Sequence, residues 1–453
     1  MLNQIAQITD STTQNEVLSF DQLTGLFYSG CKTDEKVGIE YEKLPIYSDN
    51  FKAVKYEDIA RFMLQFKNGK WDGIYSDNNI LGLENETGVI SLEPGSQFEL
   101  SLNPLDSIAQ IKEKIDSYNE QSAQLAQKLG ITWLGYGIQP LSTYKDIKVI
   151  PKKRYRYMSE YLPTVAKRPL VMMRETSGIQ VGIDYKSEED AMKKLALALK
   201  LSPIISAVFA NSPIRNGQLS SYKSFRALSW LHTDNARCGL ISSKIFEKNS
   251  DFSNFTFKDY AQVLLNVPMI FIERSEVEGS ALAVKNLTFK QFLEHGYEGY
   301  YATLKDWQLH CSLYFPEVRL KNFLEIRNHD NQRNELIPCV PAFWKGVMYN
   351  ESATDEINSI LNKFSYIDFK YIRHRTPKYG LDMSIRGYKI SDLAKEIINI
   401  SYEALKNTNE EIYLEAIKEL VDSGKTPADI IIKNWEGTWN KDISKLIEYS
   451  KLN

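Results

Sequence analysis

Cysteine is scarce: four residues (Cys31, Cys238, Cys311, Cys339) in a chain of 453, and no two of them form a CxxC pair. A disulfide framework is thereby excluded, and a reducing, cytoplasmic setting is the expectation. Long apolar runs are missing too, so no bilayer-spanning helix is expected. The first residues, MLNQIAQITDSTTQNEVLSF, carry neither a basic stretch nor an apolar one, which argues against a secretory signal. The five histidines (His232, His295, His310, His329, His374) show no metal-ligand spacing, and His329 reads as a structural or surface residue. There is no GxSxG elbow and no GxxxxGKS/T phosphate loop, and Gly135-Tyr136-Gly137 is too short for a dinucleotide site. Any use of ATP must therefore proceed without a P-loop. An excess of one charge is also lacking. With 55 Lys plus Arg against 58 Asp plus Glu, a net charge of −3 gives no general grip on nucleic acid or an anionic membrane.

What is present is a core-forming composition, 43% hydrophobic and 25% charged, enough for two or three domains or one large unit. Ile108, Ile111, Ile115, Tyr118, Leu125 and Leu129 recur at helical spacing, and Gly130 is placed to end that helix in a left-handed turn. Ser187 and Asp190 resemble a capping box opening a helix to about Leu201, where Ser202-Pro203 should interrupt it. From Ser391 onward the pattern is helical. Asn68–Thr87 and Asn211–Ser224 read as loops, and Trp133–Gln139 as a strand.

Four further segments alternate with a period of two. Val37, Ile39 and Tyr41 alternate with Gly38, Glu40 and Glu42. Phe98 and Leu100 alternate with Gln97 and Glu99, with Glu93 just before the turn Pro94-Gly95. Ile179, Val181 and Ile183 alternate with Gln180, Gly182 and Asp184. Leu324 and Ile326 alternate with Glu325 and Arg327. Each has one apolar face and one bearing carboxylate, amide or guanidinium. Strands mixed with helices at unequal spacing argue for an α+β fold with a largely antiparallel sheet.

Glu40 and Glu42, roughly 7 Å apart along one strand face, repel by about 0.6 kcal/mol in water and about 2.4 kcal/mol at an effective dielectric of 20. On an open surface such a pair has no functional meaning. In a cleft with Glu93, Glu99 and Glu325 it would demand cations, and an all-oxygen donor set suits Mg²⁺ or Mn²⁺. The cationic complement is Lys152-Lys153-Arg154-Tyr155-Arg156, and Arg226 followed by Trp230, Asp234 and Arg237. Taken singly, each arginine reads first as a surface residue. Together with an acidic face they are what ATP and a dicarboxylate would require.

VGIEYEKLPIY, LEPGSQFELSLNPL, LGYGIQP, PKKRYRYM, FANSPI, FRALSWLHTDNARCG, FPEVRLKNFLEIRNHD and PAFWKG occur in order across Val37–Gly346. They closely resemble the glutamate–cysteine ligase family of the plant and proteobacterial type. The resemblance implies a fold like glutamine synthetase and the guanidino kinases: a curved, largely antiparallel sheet with helices packed behind it. It implies ligation of the γ-carboxylate of L-glutamate to L-cysteine through a γ-glutamyl phosphate, with ATP and Mg²⁺ (or Mn²⁺), as the first step of glutathione synthesis. Carried over by motif, Glu40, Glu42, Glu93, Glu99 and Glu325 look like metal ligands. Gln180 and Arg327 look catalytic, with Arg327, Lys152 and Lys153 on phosphate. Arg154, Arg226, Trp230 and Thr176 look like glutamate contacts. Gly178 and Gly182 depart from the Thr-x-Thr-Val-Gln-Val-Asn run of relatives. The alternatives are γ-glutamylation of another amine, or of cysteine for a different thiol pathway such as ergothioneine, or a non-catalytic nucleotide- or metal-binding relative. The expected organisation is a helical lead-in over 1–35, a catalytic core over 36–349 and a helical part over 350–453 serving as scaffold or rim. The chain is expected to act as a monomer or homodimer on small molecules, with no nucleic acid or membrane partner.

Overall fold

The alternating segments pair into one sheet. The computed structural model describes residues 18–246, 255–274, 281–284 and 286–452; the start of the lead-in lies outside the described residues. The strands are β1 (Val37–Tyr47), β2 (Asp72–Ser76), β3 (Asn79–Asn85), β4 (Gly88–Leu92), β5 (Phe98–Leu102), β6 (Ile131–Leu134), β7 (Gly178–Ile183), β8 (Val318–Leu320) and β9 (Leu324–Asp330). They form a nine-stranded sheet in the order β8-β9-β7-β1-β5-β4-β3-β2, with β6 also on β1. Every one of these pairings is antiparallel. The α+β expectation with a large antiparallel sheet holds.

β1 shows why the alternation sorts the two faces. Val37, Ile39 and Tyr41 are at most 1% exposed and point to the core. Glu40 and Glu42 stay half-buried on the other face. Helices pack around the sheet: α1 (Phe20–Tyr28), α2 (Tyr56–Lys67), α3 (Ile108–Lys128), α4 (Lys153–Val165), α5 (Glu188–Val208), α6 (Phe225–Leu231), α7 (Cys339–Met348), α8 (Tyr366–Tyr379) and α9 (Ile390–Leu405) are the ones that matter below. Phe62 of α2 meets Phe98 of β5 and Trp133 of β6 edge-on, at centroid distances of 5.4 and 5.1 Å. Each such buried ring contributes roughly 1.5–3 kcal/mol of hydrophobic stabilisation.

Ser107 and Gln110 make a full capping box at the start of α3, and Gly130 follows its end at φ +67°. Three readings change. α5 runs through Pro203 to Val208 rather than stopping near Leu201. Its C-terminal half is buried on nearly every side, and that packing outweighs the one backbone bond proline removes. Asn68–Thr87 is a hairpin, not a loop: Asp77 and Asn78, at φ 47° and 65°, turn β2 into β3. The strand expected over Trp133–Gln139 ends at Leu134. Lys43 continues the core-facing row of β1 and is fully buried. Its Nζ lies 3.7 Å from the Tyr118 ring centroid and bonds Ser122 Oγ at 2.5 Å. The four cysteines are free thiols. Among the described residues, no helix is long and apolar enough to cross a membrane.

Candidate active site

The polar faces of β5, β1, β7 and β9 lie side by side. Register places Glu42 directly opposite Glu99, and Glu40 between Ser101 on β5 and Gln180 on β7. Register thus sets one carboxylate-bearing residue directly across from another on the neighbouring strand; like charges directly opposite are destabilising unless something neutralises them. Ser91 Oγ donates to Glu99 Oε1 at 3.1 Å. Glu93, in the β4–β5 turn, accepts from the Tyr155 hydroxyl at 3.1 Å. Glu42 Oε2 accepts from the Gly178 N–H at 2.7 Å.

The electrostatics follow from this crowding. Burial, then the Glu93 charge, pushes Glu42 up to about 8, against the pull of Arg226, the Gly178 N–H and Arg327. Burial, then Glu40, Glu93 and Glu42, holds Glu99 well above the usual carboxylate range. Glu40 is raised by burial and by Glu325. Glu325 differs: burial pushes it up, but Arg319, Lys321 and Arg327 together pull it well below the usual range. Its oxygens take Arg319 and Arg327 at 2.7 Å and Lys321 at 3.2 Å.

Arg327 is the hinge between the carboxylate face and a second corner. Its Nη1 donates to both Glu325 and Gln180, and its carbonyl accepts from Arg226 Nη2 at 2.9 Å. Arg226 lies flat over Gly178, where a Cβ would come within 2.5 Å of Nη2 and 2.8 Å of Cζ. The bare backbone of β7 is what lets the guanidinium settle there. Trp230, one turn further along α6, faces Arg327 with Cζ 5.8 Å from a ring centroid, and its buried Nε1–H has no hydrogen-bond partner. Arg226, Trp230 and Arg327 line one concave pocket, the kind of feature in which small-molecule sites are built.

The other expected site residues have partners of their own. Lys152 is half-buried, 4.8 Å from the Tyr155 ring centroid; burial lowers its pKa, while Glu93 and Glu99 work against that. Lys153 is exposed and paired with Asp77 at 3.5 Å. Arg154 donates twice to Ser312, to its hydroxyl and carbonyl, each at 2.8 Å. The Thr176 hydroxyl donates to Met172 O at 2.6 Å. Asp234 and Arg237 form a buried pair at 2.6 Å.

Three residues escaped the sequence reading. Asp330 accepts from Ser212 at 2.6 Å and Ser224 at 2.8 Å, and these two hydroxyls accept from the backbone N–H groups of Arg226 and Ala227. It thus fixes the helix turn that carries Arg226. Glu317 and Arg373 also line the cavity. Asp330 and Glu317 sit inside FPEVRLKNFLEIRNHD, so their neighbourhood was visible; nothing local marks Arg373, in a segment read as scaffold or rim.

A family model described as Glutamate-cysteine ligase family 2 matches residues 36–448. The sequence is similar to glutamate–cysteine ligase A, chloroplastic, of Oryza sativa subsp. indica, 33% identical over 97% of this chain and 89% of that protein. Glutamate–cysteine ligase, chloroplastic, of Nicotiana tabacum is 33% identical over 97% of this chain and 84% of its own length. The Arabidopsis thaliana protein of that name is 32% identical over the same shares. The crystal structure of glutamate–cysteine ligase from Francisella tularensis in complex with AMP is similar in fold, with a TM-score of 0.50 and 16% identity over 92% of this chain and 89% of that one. One expectation is corrected: the reading of a cytoplasmic setting does not stand against relatives whose names place them in the chloroplast.

Proposed function

The chain belongs to glutamate-cysteine ligase family 2, and from that premise we propose that it uses ATP to join the γ-carboxylate of L-glutamate to the amine of L-cysteine, the first step of glutathione synthesis. The observation that carries this reading is the joining of two environments by one residue. Arg327 touches the carboxylate face through Glu325 and Gln180, and the Arg226–Trp230 cavity through its carbonyl and its guanidinium. An anionic amino acid in the cavity would have its far end at Arg327, beside a face suited to cation-bound phosphate.

A carboxylate is a poor electrophile, so ATP must first convert it to an acyl phosphate, which the amine then attacks with release of phosphate. Among the described residues, no three His, Cys, Asp or Glu side chains stand ready as a cation cage. The donor chemistry nonetheless fits a hard divalent ion. Glu40, Glu42 and Glu99 are carboxylates whose pKa values are raised first by burial and then by neighbouring carboxylates, a crowding that a hard cation would relieve. Glu40, Glu42, Glu93 and Glu99 would hold Mg²⁺ or Mn²⁺, which when bound neutralises the triphosphate and the γ-carboxylate. Glu325, already surrounded by three cations, serves instead to orient Arg327. Arg327 then meets the transferring phosphoryl group with a guanidinium fixed before substrate arrives. Lys152 adds charge from the side of Glu93 and Glu99, whereas Lys153 and Arg154 have other partners. Arg226 and Trp230 hold L-glutamate.

Purified protein with ATP, Mg²⁺ and L-glutamate, screened against a panel of amines, is expected to release ADP and form dipeptide fastest with L-cysteine. Faster turnover with another amine would replace the acceptor. With cysteine omitted, labelled ATP is expected to scramble its β,γ-bridge oxygen. Dipeptide synthesis without scrambling and without ATP-dependent inhibition by a sulfoximine analogue would rule out the acyl phosphate.

A further inference from the structure

The cavity beside Arg327 has a second charged wall. Glu317 lies between β8 and the preceding Phe315-Pro316 strand; its N–H donates to Gly239 O and its carbonyl accepts from the Arg327 N–H, both at 3.0 Å. Its carboxylate is therefore held at a fixed offset from Arg327. Arg373 reaches it from α8, with Nε 2.5 Å from Oε1, and its guanidinium is packed so closely on Gly239 that a Cβ there would meet Cζ at 3.1 Å. Both side chains keep some exposure, 15% for Glu317 and 13% for Arg373, and both line the cavity with Arg226 and Arg327. The charged lining is thus three guanidiniums and one carboxylate. L-Glutamate offers groups to both signs of that lining, two carboxylates and one ammonium, whereas a plain dicarboxylate brings no cation to Glu317.

We propose that Glu317 and Arg373 form the α-amino-acid end of this cavity, Glu317 receiving the α-ammonium and Arg373 the α-carboxylate of L-glutamate. The proposal rests on the reading of the Arg226–Trp230 cavity as the glutamate pocket. Gripping both α-substituents at this end leaves the γ-carboxylate to extend toward Arg327 and the carboxylate face. It also gives α8 a part in substrate choice, because α8 alone supplies Arg373. The competing role is a strut: an ion pair that bolts α8 to the sheet and ignores the ligand.

Calorimetric binding of L-glutamate, glutarate (no ammonium) and 4-aminobutyrate (no α-carboxylate) tests this without turnover. Wild type is expected to bind L-glutamate at least about tenfold more tightly than either truncated ligand. Glu317→Gln should weaken L-glutamate about tenfold or more and leave glutarate within about twofold. Arg373→Gln should weaken L-glutamate similarly and leave 4-aminobutyrate within about twofold. The double exchange Glu317→Arg with Arg373→Glu retains an ion pair, so a strut would tolerate it. Loss of L-glutamate binding at an unchanged melting temperature supports recognition, whereas binding within about twofold of wild type overturns it. A rise in the KM for L-cysteine with glutamate affinity intact overturns it too. A wild type that makes dipeptide while the variants bind L-glutamate normally would sink this inference alone. A wild type that neither binds nor uses L-glutamate would sink the function it rests on.

Discussion

Gly178→Ala is the smallest change that should displace the guanidinium proposed to hold glutamate while leaving Arg226 itself in the sequence. A Cβ at 178 would stand 2.5 Å from Arg226 Nη2 and 2.8 Å from Cζ and Nε, closer than real Cβ contacts allow. The obstructing atoms are the end of a flexible side chain, and β7 is ordinary extended strand at this point, so the guanidinium gives way and the strand stays. What is lost is the 2.9 Å bond from Nη2 to Arg327 O and the placement it enforces. A hydrogen bond from a charged donor is worth about 1.5–3 kcal/mol, or about ten- to a hundredfold in an equilibrium constant. The KM for glutamate is expected to rise by that factor, with the KM for ATP within about twofold and the melting temperature little changed. Steady-state kinetics with each substrate varied at saturating levels of the others is the assay. Arg226→Lys, which keeps the charge but loses the planar fork, should raise the glutamate KM by itself. In that background Gly178→Ala should add little, because both changes act on one interaction. A full additional effect in the double variant, or a larger change in the ATP constant than in the glutamate constant, would refute the reasoning.

Glu42→Gln and Glu99→Gln should each abolish ATP turnover yet stabilise the metal-free protein. A folded carboxylate pKa raised from 4.5 to about 8 means that stability present below pH 4.5 is lost as pH rises toward 8. Denaturant melts in EDTA across that window check the second half for Glu42, and destabilisation by Glu42→Gln would remove it from the repulsive cluster. Lys43→Met should stabilise by about 1–2 kcal/mol at pH 7, because a fully buried amine whose pKa is held well below 10.5 is replaced by a side chain of similar size. The gain should shrink as pH rises through 10.5, above which lysine is neutral in both states. His310 and His329 are buried neutral, with pKa values lowered by burial from 6.5 to about 4 and about 3. Their stabilisation is complete above pH 6.5 and is lost as pH falls through 4, amounting to about 3 kcal/mol for His310. His310→Gln should flatten the acid limb of a stability–pH curve, and an unchanged limb would contradict the assignment.

The polar strand faces were legible because alternation and chemistry coincide on β1, β5, β7 and β9. Side-chain period alone set Glu40, Glu42, Glu99, Gln180, Glu325 and Arg327 on one surface. Register was not legible, and register is what sets Glu42 directly across from Glu99, and Glu40 across from Ser101. Arg226 and Trp230 were found by motif, but Arg226's dependence on an empty Gly178 is a contact between β7 and α6 that no local pattern encodes. Lys153, Arg154 and Thr176 look equally functional in one dimension. Their partners (Asp77, Ser312, Met172) are settled by packing. The Asn68–Thr87 hairpin was missed because its turn residues, Asp77 and Asn78, are also loop formers.

β9 pairs Ile326 with Val181 and then His329 with Ile179, one residue more than β7 supplies across the same span. This extra residue works as a phase shifter. Before it, odd-numbered positions, Glu325 and Arg327, look into the cleft; after it, the odd-numbered His329 looks into the core, bonding Ile179 O and taking the Trp344 N–H, while Asp330 returns to the side of Arg226. A single strand thereby addresses two clients on one face, the Glu325–Arg327 cluster at one end and the anchoring of α6 by Asp330 at the other. A regular ladder through the same residues would send Asp330 inward and His329 outward together, whereas deleting Asn328 removes the extra residue and leaves both on their present faces. The insertion, and not the identity of the residues after it, decides which of them reach the cleft.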